Sequence, residues 1–126
     1  MRTIASETER LGLKPYKSVA TRRELSYSKH EFPCVVPVGT YLTLYFSEKV
    51  PSRIYFDYEG HLRCTRTANA SKTFAGGGFI KQPSTRTMEK WEWDGGFCKT
   101  VTGLKTEPDG WGYDGSPSWM LVLGLI

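Results

Sequence analysis

Between Tyr41 and Phe46 the chain alternates, with Leu42, Leu44 and Phe46 on one side and Tyr41, Thr43 and Tyr45 on the other. A period of two marks a strand with one face on a core, and it predicts a strand over 40–47. Two further strand-like runs, RIYFDY (53–58) and HLRCTRT (61–67), flank Glu59-Gly60. A two-residue turn there would set Phe56 opposite Arg63 and Asp57 opposite Leu62, mixing polar and apolar groups on both faces. A three-residue loop over Glu59-Gly60-His61 sorts them: Tyr58 meets Leu62 and Phe56 meets Cys64 on an apolar face, while Asp57 meets Arg63 and Tyr55 meets Thr65 on a polar one. The sorted register is the expectation. It makes Cys64 a core residue, turns Asp57 and Arg63 to water as a cross-strand pair, and leaves His61 on the turn before a strand over 62–67.

The remaining pattern is weaker. TRTMEKWEW (85–93) reads as a strand with Trp91 and Trp93 on one face, and Asp94-Gly95-Gly96 reads as a hairpin turn into a strand over 97–103. Residues 1–32 are polar and lack a clear period, so they are expected to be loosely structured. Within them, Ser6 with Glu9 fits a capping box for a short helix over 7–12, which Lys14-Pro15 would stop. Residues 68–84, with three successive glycines at 76–78, read as a loop. Ser116 and Pro117 open a short apolar helix over 117–124. The expectation is a single domain, mainly β to α+β. A small curved antiparallel sheet or barrel of five to six strands would form its core over 33–126, and a terminal helix would cap it.

Composition supports short strands. The 126 residues are 39% hydrophobic and 13% aromatic, with thirteen Gly and seven Pro to supply turns. Seventeen Lys and Arg against thirteen Asp and Glu give a net charge of +4. That balance excludes an acidic mimic of DNA and permits a phosphate-bearing or acidic partner. Three well-separated cysteines are a poor basis for a disulfide framework. The N-terminus has no apolar core of signal-peptide length, and no apolar run approaches the ~20 residues that span a bilayer. The chain is therefore expected to be cytoplasmic, away from membranes, with reduced thiols.

Candidate chemistry falls into four groups. His61-x2-Cys64 with Cys34 and Cys98 has the residue types of a zinc site, but only one close pair, where tetrahedral sites favour two. No metal or other cofactor is expected. His30 and His61 are the residue types of an acid–base pair, and a cysteine with either is that of a nucleophile and base. No motif orients them, and an enzyme is not the expectation. Basic residues interleave with aromatics along the proposed strands: Arg53, Arg63, Arg66 and Lys90 with Tyr41, Tyr45 and Tyr55. Such a sheet face can hold phosphates and stack bases. Last, Trp111, Tyr113 and Trp119 are candidate anchors for a protein partner, because Trp and Tyr dominate interface hot spots.

The closing segment EPDGWGYDGSPSWMLVLGLI (107–126) resembles the ends of small bacteriophage and prophage proteins. The likeness covers about 20 residues and implies a phage setting, without implying an activity or a site residue. The expected function is a non-catalytic, phage-derived accessory protein that binds and inhibits a host factor, in the host cytoplasm, as a counter to antiviral defence. The alternative is a nucleic-acid or nucleotide binder using the basic and aromatic sheet face.

Overall fold

A computed structural model describes residues 2–76, 78–93 and 95–126. Gly77 of the glycine loop and Asp94 of the expected Asp94–Gly96 turn lie outside the described residues. The fold is mostly β, as its strand patterning predicts. A five-stranded antiparallel sheet curls into a half-barrel, and a short C-terminal helix packs against its core.

The chain begins in order rather than as a loose arm. Helix α1 (Ile4–Leu11) starts three residues before the expected helix because Thr3, not Ser6, caps it. Thr3 Oγ1 accepts from the Ser6 amide at 3.1 Å and Ser6 Oγ accepts from the Thr3 amide at 2.8 Å, a reciprocal box that satisfies two end donors. Strand β1 (Leu13–Thr21) follows directly. Its alternation is broken by a register shift between Pro15 and Ser18. Among the described residues this half of β1 pairs only with β4 (Tyr41–Ser47), so the missing proline N–H breaks no ladder described there.

Two short strands, β2 (Leu25–Ser26) and β3 (Val35–Val36), form a separate ladder before β4. Strands β5 (Arg53–Tyr58) and β6 (His61–Arg66) then extend the sheet. A single 3-10 turn (Thr67–Asn69) and helix α2 (Ala70–Thr73) lead into β7 (Phe74–Ala75), giving the order β6-β5-β4-β1-β7. One sheet face carries the main core, including Val19, Leu44, Phe46, Ile54, Phe56 and Phe74. The other face is covered by α1, with Ile4, Leu11 and Leu13 on Tyr55. Ser47 ties the two layers, its buried hydroxyl donating to the Leu11 carbonyl at 2.6 Å.

The expected hairpin register is wrong. Tyr58 pairs with His61, Asp57 with Leu62, Phe56 with Arg63 and Tyr55 with Cys64. The turn has two residues, Glu59 at φ 52° and Gly60 at φ 76°, the double positive φ of a type I′ turn, whose twist matches that of the strands. Sorting residues into a wet and a dry face fails here because α1 covers the second face around Tyr55, Leu62 and Cys64.

The second half departs further. Residues Thr85–Trp93 form helix α3, not a strand. Ser84 opens it, accepting from the Thr87 amide at 3.2 Å. Helical spacing turns Met88 and Trp91 to the core and leaves Trp93 87% exposed, so the two tryptophans part. Strand β8 (Cys98–Lys99) is only two residues and pairs with β9 (Lys105–Thr106), not with residues 85–93. Helix α4 (Trp119–Val122) is shorter than expected. Its cap is Ser118, which accepts from the Leu121 amide at 3.1 Å and donates to the Pro108 carbonyl. Among the described residues no helix is long and apolar enough to cross a membrane.

The turn yields a paired prediction. Gly60→Ala forces an L side chain into left-handed backbone and should lower unfolding stability by about 1–2 kcal/mol. Glu59→Asn relieves a non-glycine residue at φ 52° and should raise stability, by a few tenths to about 1 kcal/mol. Urea denaturation of the two variants checks both signs.

Candidate functional site

Register decides what borders the outer strand. β6 lies at the edge of the sheet, and alternation puts Arg63 on the core face beside Phe56 while Leu62 and Cys64 face α1. Arg63 is therefore buried, at 6% exposure. Its guanidinium carbon lies 5.8 Å from the Tyr27 ring centroid, and Nη1 donates to the Phe32 carbonyl. Its Nε has no hydrogen-bond partner among the described residues. Among the described residues, no ion pair includes Arg63.

The neighbouring ring repeats this pattern. His61 lies flat on Phe32, with centroids 4.0 Å apart and planes at 11°, and its Nδ1 is also buried without a partner among the described residues. Tyr27 supports the group from the β2–β3 connection. Its hydroxyl donates to the Cys64 carbonyl at 2.9 Å, and its ring meets Phe56 edge-on at 6.4 Å and His30 at 5.2 Å. Burial first, then the nearby Cys64 and Cys34 thiols, push the Tyr27 phenol well above its ordinary range. It stays a neutral donor rather than a base.

These side chains line a cleft of about 380 Å³ that also includes Arg2, His30 and Glu31. On the α1 side of β6 a second cleft, about 340 Å³, is bordered by Arg2, Arg10, Arg53 and Arg63. Glu7 sits beneath it, 2.5 Å from Arg10 Nε and 3.8 Å from Arg2 Nε. Arg53 Nη1 lies 3.3 Å from Cys64 Sγ. Cationic groups and stacked rings thus converge on one edge of the molecule, an arrangement able to hold an anion beside an aromatic ring.

The residues singled out in the sequence are only partly reunited. Arg53 and Arg66 stand directly opposite each other on β5 and β6, and Arg63 is near them but buried rather than facing water. Tyr55 is buried under α1, Tyr45 is half-buried beside it, and Tyr41 is exposed at the start of β4. Lys90 projects from α3 and lines neither cleft. The open basic and aromatic sheet face therefore does not form: α1 covers it around Tyr55, and Lys90 lies on α3 instead of the sheet.

Of the candidate anchors, Trp119 is 1% exposed in the core, Trp111 packs partly against that core, and Tyr113 is 94% exposed. The four candidate zinc ligands are not assembled. Cys64 faces α1, and Cys98 packs with Met88 and Met120 in a separate cluster. Among the described residues no group of three or more His, Cys, Asp or Glu is placed to hold a metal ion.

Arg2, Arg10, Tyr27, His30 and Phe32 border the clefts, yet all come from the stretch expected to be loose. Their signal was aromatic density: Tyr27, His30 and Phe32 within six residues are unusual for a solvated loop.

Thiol chemistry checks this placement. Cys34 and Cys64 are half-buried, whereas Cys98 is buried and its thiol is pushed up by that burial. An aromatic disulfide reagent should titrate Cys34 and Cys64 in the folded protein and Cys98 only after unfolding. No protein-family model matches the chain, and neither a curated protein nor a solved structure matches it.

Proposed function

We propose that the protein is a non-catalytic binder of a nucleotide-type ligand, taken up in the cleft between β6 and residues 27–32. The phosphate sits against Arg63 and Arg2, and a base packs on the His61–Phe32 pair. One observation carries the reading. Three buried side-chain polar atoms lack partners among the described residues, and two of them, Arg63 Nε and His61 Nδ1, border this same cleft. Unsatisfied buried polar groups are rare, and a site awaiting its ligand is one place where they persist. A guanidinium held on one side by a carbonyl can turn its free edge to a phosphate. Phe32 is 43% exposed, which leaves ring surface open for stacking.

A second reading keeps the phage setting suggested by the closing segment: a host protein docks on the loop before α4, in the cytoplasm of an infected cell. Tyr113, at 94% exposure, supports it as an amphipathic anchor.

Calorimetric titration with a panel of nucleoside phosphates and inorganic pyrophosphate tests the first reading. Binding should weaken several-fold between 50 and 200 mM salt, values chosen from the range over which phosphate contacts are lost. Phe32→Ala should reduce nucleotide affinity by about tenfold, the loss of one stacked base, and should leave pyrophosphate affinity unchanged. No heat with any of these anions, or equal losses for nucleotide and pyrophosphate, would overturn it.

A further inference from the structure

The first two clefts share Arg2, Leu62, Arg63 and Cys64. The second shares Arg53 with a third of about 250 Å³, bordered by Ser52, Arg53, Arg66 and Ala68 with the end of α4. All three follow the edge strand β6. Five arginines, at positions 2, 10, 53, 63 and 66, border the series. Glu31 is the only carboxylate among the described residues that border it, and Glu7 pairs with Arg2 and Arg10 from beneath.

Arg53 and Arg66 are an unusual cross-strand pair. They stand directly opposite one another, where like charges destabilise a sheet, and no ion pair relieves either among the described residues. An anion between them would turn repulsion into a shared contact. From His61 to Arg66 an extended strand spans about 17 Å, at roughly 3.3 Å a residue. The axial rise of a stacked nucleic-acid strand is about 3.4 Å per nucleotide, so the run accommodates at most about five nucleotides, and fewer where the strand is extended.

We infer that the ligand is a single-stranded nucleic acid lying along β6, with one base on the His61–Phe32 pair and its phosphates running past Arg63 and Arg53 to Arg66. The inference rests on the nucleotide reading of the first cleft and adds the other two. Cationic grooves joined to a stacking platform suit single strands, because every base has a ring face and every nucleotide a phosphate. A duplex hides those faces.

The test is a length series read by fluorescence anisotropy with the full chain. The probes are labelled oligodeoxythymidylates and oligouridylates of one to eight nucleotides and a blunt duplex. Affinity for at least one single-stranded series should rise with each added nucleotide to about five and then level, and should exceed that for the duplex. Arg53→Gln/Arg66→Gln should weaken the six-nucleotide probe at least tenfold and lower its salt slope by about 1.4, at roughly 0.7 per single-strand phosphate contact. If a mononucleotide binds as tightly as the six-nucleotide probe, the track along β6 is wrong and the first-cleft reading stands. If the duplex binds more tightly than either single strand, the inference is overturned in favour of a shape reader. If no probe of any length binds, both readings fall.

Discussion

The arginine-lined edge of this protein depends on a backbone constraint two residues long. Glu59 and Gly60 both take positive φ, and the type I′ turn they form allows only the register that sets Arg63 opposite Phe56. That register carries a guanidinium into the core face of an edge strand, where burying an unpaired charge is unfavourable. Tyr27 offers its ring and the Phe32 backbone a carbonyl, which relieves part of that penalty. Arg63 Nε has no partner among the described residues, and Arg63 lines the same cleft as His61, whose Nδ1 is likewise buried without one. A one-residue slip would put Arg63 on the α1 side and dismantle the arrangement.

How much was legible in the sequence follows from how each element is stabilised. The strands around Leu44 and Phe56 showed because alternation there reflects burial on the core face. Strand β1 was hidden, since its bulge breaks the period and Pro15 reads as a stop. The stretch 85–93 misled because Trp91 and Trp93 alternate, whereas Met88 and Trp91, three apart, are the pair that packs inward. The hairpin register failed for a different reason. Sorting polar from apolar assumes one wet face, and helix α1 covers the second face beside Tyr55. A buried Arg63 has no signature in a one-dimensional pattern. It follows only from the turn geometry and from Tyr27 and Phe32, which are distant in sequence.

The charge distribution makes the same point at larger scale. A net charge of +4 is modest and says little by itself. What matters is that arginines at positions 2, 10, 53, 63 and 66 come from the N-terminal segment, α1, β5 and β6 to one edge. Lys90 lies on α3, where it borders none of the three clefts. Arginine suits a fixed, planar hydrogen-bonding task better than lysine. The fold thus concentrates a dilute positive charge, and the edge strand that would otherwise invite pairing with another sheet becomes a lined groove.

The central claim is that Arg63 is retained for a ligand and not for the fold. Arg63→Met, which keeps an unbranched apolar stem and removes the charge, tests it through unfolding free energies measured with and without a nucleoside triphosphate. Replacing a buried unpaired cation with an apolar side chain should leave the free protein as stable or more stable, while the ligand-induced rise seen in the wild type disappears. A variant that loses more than about 3 kcal/mol, the penalty for breaking a structural buried charge contact, yet is still stabilised by the nucleotide would contradict the claim.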